Sequence, residues 1–128
     1  MGMRAESLKG HVDALILAVV ATEPRHGYAV IEELKRRSGD SLDLPEGTVY
    51  PALHRLEEAG LLSSAWSKES GRRRRVYALT RRGQRELGVR RSEWRDFSRA
   101  MDAVLGSRMT PAPSGFAGLD ADRRSAAG

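Results

Sequence analysis

Apolar residues recur at helical spacing three times in the first half of the chain. Val12, Leu15, Ile16, Val19 and Val20 predict a first helix, with Ser7 as its cap and Gly10 tolerated early in it. Thr22-Glu23-Pro24 ends it, because proline disfavours helical geometry in the residue before it. Tyr28, Val30, Ile31 and Leu34 form the stripe of a second helix, from about Gly27 to Arg37, closed by Gly39. After a loop, Asp40 to Leu44, Pro45 opens a third helix that runs to about Ala59 and stops at Gly60. Its inner face is Val49, Leu53 and Leu56, at i, i+4 and i+7. Pro51 would remove one hydrogen bond from a helix interior, which places the helix start near Glu46–Thr48.

The period then changes. Leu61 to Ser67 and Arg75 to Leu79 predict two short strands, joined by the polar stretch Lys68 to Arg74 as a basic hairpin tip. Thr80 caps a fourth helix, about Arg81 to Leu105, in which Leu87, Trp94 and Met101 lie seven apart, as do Phe97 and Val104. From Ser107 to Gly128 the chain is rich in Pro, Gly, Ala and Ser and predicts a weakly ordered tail. The expected fold is mainly α with a small β-hairpin: a winged helix-turn-helix over residues 1–80, a dimerisation helix over 81–106 and the tail over 107–128.

Charge sharpens this picture. The net charge of +5 is unevenly spread: residues 1–67 hold 7 Lys/Arg against 10 Asp/Glu, and residues 68–99 hold 12 against 4. A basic hairpin beside a short polar-faced helix suits duplex DNA, whose major groove is about 12 Å wide and whose phosphates attract arginine without reporting sequence. Thr48, Tyr50, Pro51, His54 and Arg55 lie on or near the outer side of the third helix, and Lys68 with Arg72, Arg73, Arg74 and Arg75 serve the wing. Tyr50 and Pro51 could touch DNA or fix the start and packing of the helix. Arg55 could instead pair with Glu58, and Tyr28 could pack or contact phosphate. The alternative is a winged-helix protein–protein interaction module without DNA binding, against which the run of four arginines argues.

Other chemistry is thinly represented. The chain has no cysteine, which excludes disulfides, Cys-based zinc sites and a Cys nucleophile. No Ser/His/Asp grouping, phosphate-cradling Gly loop or HExxH motif points to an enzyme. His11, His26 and His54 are too scattered for a metal site, and no cofactor is expected. The longest apolar run, Ala14 to Ala21, is far short of the roughly 20 residues that span a bilayer, so a cytoplasmic protein without membrane association is expected.

The stretch Pro45-Glu46-Gly47-Thr48-Val49-Tyr50-Pro51-Ala52-Leu53-His54-Arg55-Leu56-Glu57-Glu58-Ala59-Gly60-Leu61 resembles the signature of PadR-type transcriptional regulators. His26-Gly27-Tyr28 is similar to the family's second-helix start, Trp66 to the Trp of its first wing strand, and Gly71 to Thr80 to its second wing strand. The resemblance covers about residues 7 to 85. It implies a bacterial or archaeal DNA-binding repressor that acts as a homodimer through the helix after the wing, relieved by a small molecule or another cue. The single C-terminal helix is similar to that of the short subfamily. Two departures stand out: Arg72-Arg73 replaces the Pro often found at the wing tip, and Val76 replaces the first of a Tyr pair. Trp94 reads either as dimer-interface core or as a ligand platform, since some multidrug-sensing relatives look similar, with a Trp on this helix lining a central pore. In the second reading Glu93, Phe97 and Met101 line the same space, Asp96 holds a cation's charge, and the effector is a planar aromatic or cationic small molecule.

Overall fold

A computed structural model describes Leu8 and residues 10–69 and 71–106. Among these the order is α1 (Val12–Thr22), β1 (Arg25–His26), α2 (Gly27–Arg37), α3 (Glu46–Glu58), β2 (Leu62–Glu69), β3 (Arg72–Leu79) and α4 (Arg81–Leu105). The chain divides into two compact units, one ending at Ser92 and the other beginning at Glu93.

The first unit is built on the predicted apolar stripes. Ile16, Leu17, Val19 and Val20 of α1 meet Val30, Ile31 and Leu34 of α2 and Val49, Ala52, Leu53 and Leu56 of α3 in one buried core. Leu8, Val12, Leu44, Leu62, Tyr77 and Leu87 complete it. Removing this apolar area from water is what holds three short helices together, since helices of 11 to 13 residues are marginal alone. A three-stranded antiparallel sheet in the order β1-β3-β2 covers one side.

Several boundaries differ from the sequence-based expectation. The first helix starts at Val12 behind His11, and Gly10, at φ +92, lies outside it. The expected cap, Ser7, and the tail from Ser107 lie outside the described residues. Arg25 and His26 form an additional strand, pairing with Tyr77 and Val76. The wing strands are longer than expected. Arg72, Arg73 and Arg74 belong to β3, and Lys68 pairs with Arg73 and Glu69 with Arg72. Backbone pairing carries the strands to within two residues of each other, although arginine and lysine side chains favour strands only weakly.

The helix α3 starts at Glu46, so Pro51 is an interior residue. The Gly47 carbonyl therefore has no amide at position 51 to accept from, and the proline ring lies on the exposed side where water can substitute. The start of α4 is tied to the turn after α3. Thr80 accepts a hydrogen bond from the Gly83 amide at 3.0 Å and donates one to the Gly60 carbonyl at 2.7 Å. Gly83 has no room for a side chain: a Cβ there would collide with the Leu61 carbonyl oxygen.

Candidate nucleic-acid interface

The second helix begins with a built N-terminus. His26 is its cap, and its Nδ1 accepts from the Ala29 amide at 3.2 Å. Its Nε2 lies 2.7 Å from a guanidinium nitrogen of Arg74 on the wing. The next residue, Gly27, meets the Tyr50 ring of α3, which a Cβ would overlap. The His26-Gly27 pair therefore brings α2, α3 and the wing together at one point.

A groove at that point is lined by His26, Gly27, Tyr28, Glu46, Tyr50, His54, Arg72, Arg74, Arg75 and Tyr77. Most of the side chains expected at an interface thus share one surface: Tyr28, Tyr50 and His54 from the helices, and three arginines from β3. Tyr28, Pro51, His54 and Arg55 are exposed, and Thr48 is half-buried near the start of α3. Tyr50 is half-buried, and burial, followed by the Glu46 carboxylate, pushes its phenol above the ordinary value. Its ring packs against Gly27 of α2 and also lines the groove.

The four arginines do not form one tip. They follow one another along an extended strand, where successive side chains leave on opposite faces, although Arg75 also lines the groove that Arg72 and Arg74 line. Arg73 and Arg75 lie over the Trp66 ring, at 4.5 Å and 5.2 Å from its centroid. Arg74 turns instead to His26. Lys68 is exposed opposite Arg73.

Two carboxylates organise this surface, and local spacing alone does not reveal either. Asp13 of α1 accepts from Arg55 of α3 at 2.8 Å, where the sequence suggested Glu58 as the partner. Glu57 accepts from the Ser64 hydroxyl at 2.7 Å and approaches Arg75 at 3.8 Å, joining the end of α3 to the wing. His26, Glu57 and Trp66 were not among the expected site residues. For His26 a signal existed, a hydrogen-bonding side chain just before a helical Gly. Glu57 and Trp66 gain their roles only when the hairpin folds back beside α3.

The second unit carries the rest of α4. Trp94, Phe97, Met101 and Val104 are exposed by 53%, 52%, 41% and 84%. Trp94 and Phe97 touch with ring centroids 5.7 Å apart. Leu87, expected on the same seam, is 4% exposed and belongs to the core of the first unit, so the exposed seam begins after it. Glu93 is exposed, and Asp96 accepts from Arg99 at 2.9 Å.

Among the described residues no three His, Cys, Asp or Glu side chains converge as a metal site, and no helix is long and apolar enough to cross a membrane.

Three helices around one core, with a basic hairpin packed beside the third, define a winged helix-turn-helix. The model of the PadR-like family of transcriptional regulators matches residues 16–89, and the chain belongs to that family. It is 37% identical over 100 residues to the transcriptional regulator Rv3488 of Mycobacterium tuberculosis, covering 78% of this chain and 88% of that one. The crystal structure of a PadR family transcription regulator from Clostridium difficile R20291 is similar with a TM-score of 0.69 and 35% identity, covering 76% of this chain and all of that one. A PadR family transcriptional regulator from Eggerthella lenta gives a TM-score of 0.70 at 28% identity, with 81% and 89% covered.

Proposed function

We propose that this regulator is a sequence-specific DNA-binding repressor that acts as a homodimer and is released from its operator by a small molecule. The observation that supports DNA binding most is the shared groove. It sets exposed helix side chains, Tyr28 and His54, beside Arg72, Arg74 and Arg75 of the wing. In this reading α3 enters the major groove with Thr48, Pro51, His54 and Arg55 toward the duplex. Lys68 and Arg72 to Arg75 hold phosphates, which supply affinity and register without reading bases.

The homodimer reading is supported by the exposed apolar row on α4. Four large apolar side chains in one short stretch of helix make a surface that a partner helix would cover. A second copy offers the matching row, as a two-fold interface requires. Trp94 and Phe97 at that interface would present ring faces to a planar aromatic or cationic effector, with Glu93 and Met101 beside them. A ligand that favours one packing of two α4 helices over another would shift the spacing of the two α3 helices. Coupling of this kind is typically worth about 1–3 kcal/mol.

Fluorescence anisotropy with a labelled duplex from the region upstream of the protein's own gene tests the central claim. Binding that survives an excess of random competitor duplex is expected. Equal affinity for both duplexes would overturn sequence specificity, and no binding to either would favour a protein-interaction role.

A further inference from the structure

We propose that Trp66 is a positioning residue for DNA binding, its indole face holding the guanidiniums of Arg73 and Arg75 in place for the phosphate backbone. This rests on the reading of the wing as a DNA-contacting element and assigns a task to a residue outside the expected interface.

Trp66 stands directly opposite Arg75 across the β2–β3 pair, and Arg73, two residues along on the same face, is its diagonal neighbour. Both guanidinium carbons lie over the ring, at 4.5 Å for Arg73 and 5.2 Å for Arg75. A cation is attracted to an aromatic face at such distances. The indole is 56% exposed in the midst of a polar strand, with the two guanidiniums over it.

The choice of an aromatic partner has a chemical consequence. A carboxylate that pairs with arginine takes up its N–H donors, as Glu33 does with Arg36 and Arg37, and Asp96 with Arg99. An aromatic face attracts the same charge and leaves the donors open. On β3 the approach of a carboxylate is loose: Glu57 stands 3.8 Å from Arg75 and already accepts from Ser64. Two arginines held in this way lose less freedom when they meet phosphate than two free ones do. Arg72 and Arg74, on the opposite face, do not share this platform.

The test is the affinity of the full chain for the upstream duplex, by anisotropy over a range of salt concentrations. The variants are Trp66→Leu, Trp66→Phe, the pair Arg73→Gln with Arg75→Gln, and that pair combined with Trp66→Leu. Circular dichroism follows the fold, and Trp66→Gln serves the same comparison should leucine disturb the strand. Trp66→Leu is expected to weaken binding roughly 3- to 30-fold, the range of a cation–π contact, and to flatten the salt dependence. Trp66→Phe is expected to recover most of the loss. In the Arg73→Gln, Arg75→Gln background, Trp66→Leu is expected to have no further effect. Native affinity and salt dependence in Trp66→Leu would overturn the inference while leaving DNA binding intact. An undiminished effect in the glutamine background would overturn it too, by showing that the indole itself meets DNA. If the native chain bound no duplex, the DNA-binding reading would fall and this inference with it.

Discussion

Arg55 of α3 donates to Asp13 of α1 at 2.8 Å, across 42 residues of sequence. The outer face of the third helix is therefore partly engaged before any partner arrives. The pair is exposed, with 60% of the Arg55 side chain and 28% of the Asp13 side chain accessible, so it contributes only about 0.2–1 kcal/mol to stability. If Arg55 meets DNA, Asp13 competes for it. Asp13→Asn should lower stability by no more than that amount and raise affinity for any duplex a few-fold. Unchanged DNA affinity in Asp13→Asn would mean that Arg55 stays with α1 in the complex.

The wing arginines should set affinity more than specificity. Replacing Arg72, Arg73 and Arg74 by Ala should weaken binding to operator and random duplex alike. The slope of log K against log salt should flatten by about 0.9 for every phosphate that is no longer neutralised. A loss confined to the operator would mark these arginines as base readers.

The exposed row on α4 makes Trp94 the test of assembly. A buried charge at the centre of an apolar interface is expected to cost about 2 kcal/mol or more, so Trp94→Glu should give monomers by light scattering. A variant that remains dimeric would move the interface elsewhere.

Acid should find a weak point at Glu33. Hydrogen bonds from Arg36 and Arg37 hold its carboxyl at about 2, below the ordinary 4.5, with the Arg25 charge adding to them. The unfolded chain therefore binds this proton first as pH falls. The stability that Glu33 supplies is fully present above about 4.5 and is lost by about 2. Glu33→Gln should melt below the native protein at pH 6, and the gap should close toward pH 2. A gap that stays constant over that range would assign the loss to packing.

Two glycines of α4 should respond in opposite ways to alanine. Gly88 has open space around its Cβ position, so Gly88→Ala should stabilise by about 0.5–1 kcal/mol through helix propensity. Gly83→Ala gains the same propensity but meets the Leu61 carbonyl, and overpacking of this kind costs about 1–3 kcal/mol. Thermal melts of both variants check the contrast, and a stabilised Gly83→Ala would show that the junction yields.

The helices were legible because their apolar positions repeat with the period of the helix, and Gly27 and Pro24 punctuate them. The strand β1 was not, since two residues carry no period and pair only once β3 is in place. The full extent of the wing was hidden because Arg72 to Arg74 read as a polar turn, whereas pairing with Lys68 and Glu69 extends the ladder. Spacing put Leu87 on one seam with Trp94 and Met101, but spacing gives direction around a helix and not what covers it. At the candidate site, the arginines and α3 residues were visible as types. Their partners Asp13 and His26 come from distant parts of the chain, and Trp66 meets Arg73 and Arg75 only once the register of the hairpin is set.

The alternation along β3 bears on how such a wing can change through descent. Each arginine owes its partner to an odd or even place in the strand: Trp66 for Arg73 and Arg75, His26 for Arg74. Exchanging one residue type for another leaves that parity intact. Deleting or adding a single residue between Arg75 and Tyr77 reverses it: Tyr77 stays anchored in the core, and every arginine then changes face at once. The arginines themselves would be untouched and their surroundings exchanged. Lineages of this protein should therefore change length in the connection between Glu69 and Arg72 more readily than between Arg75 and Tyr77.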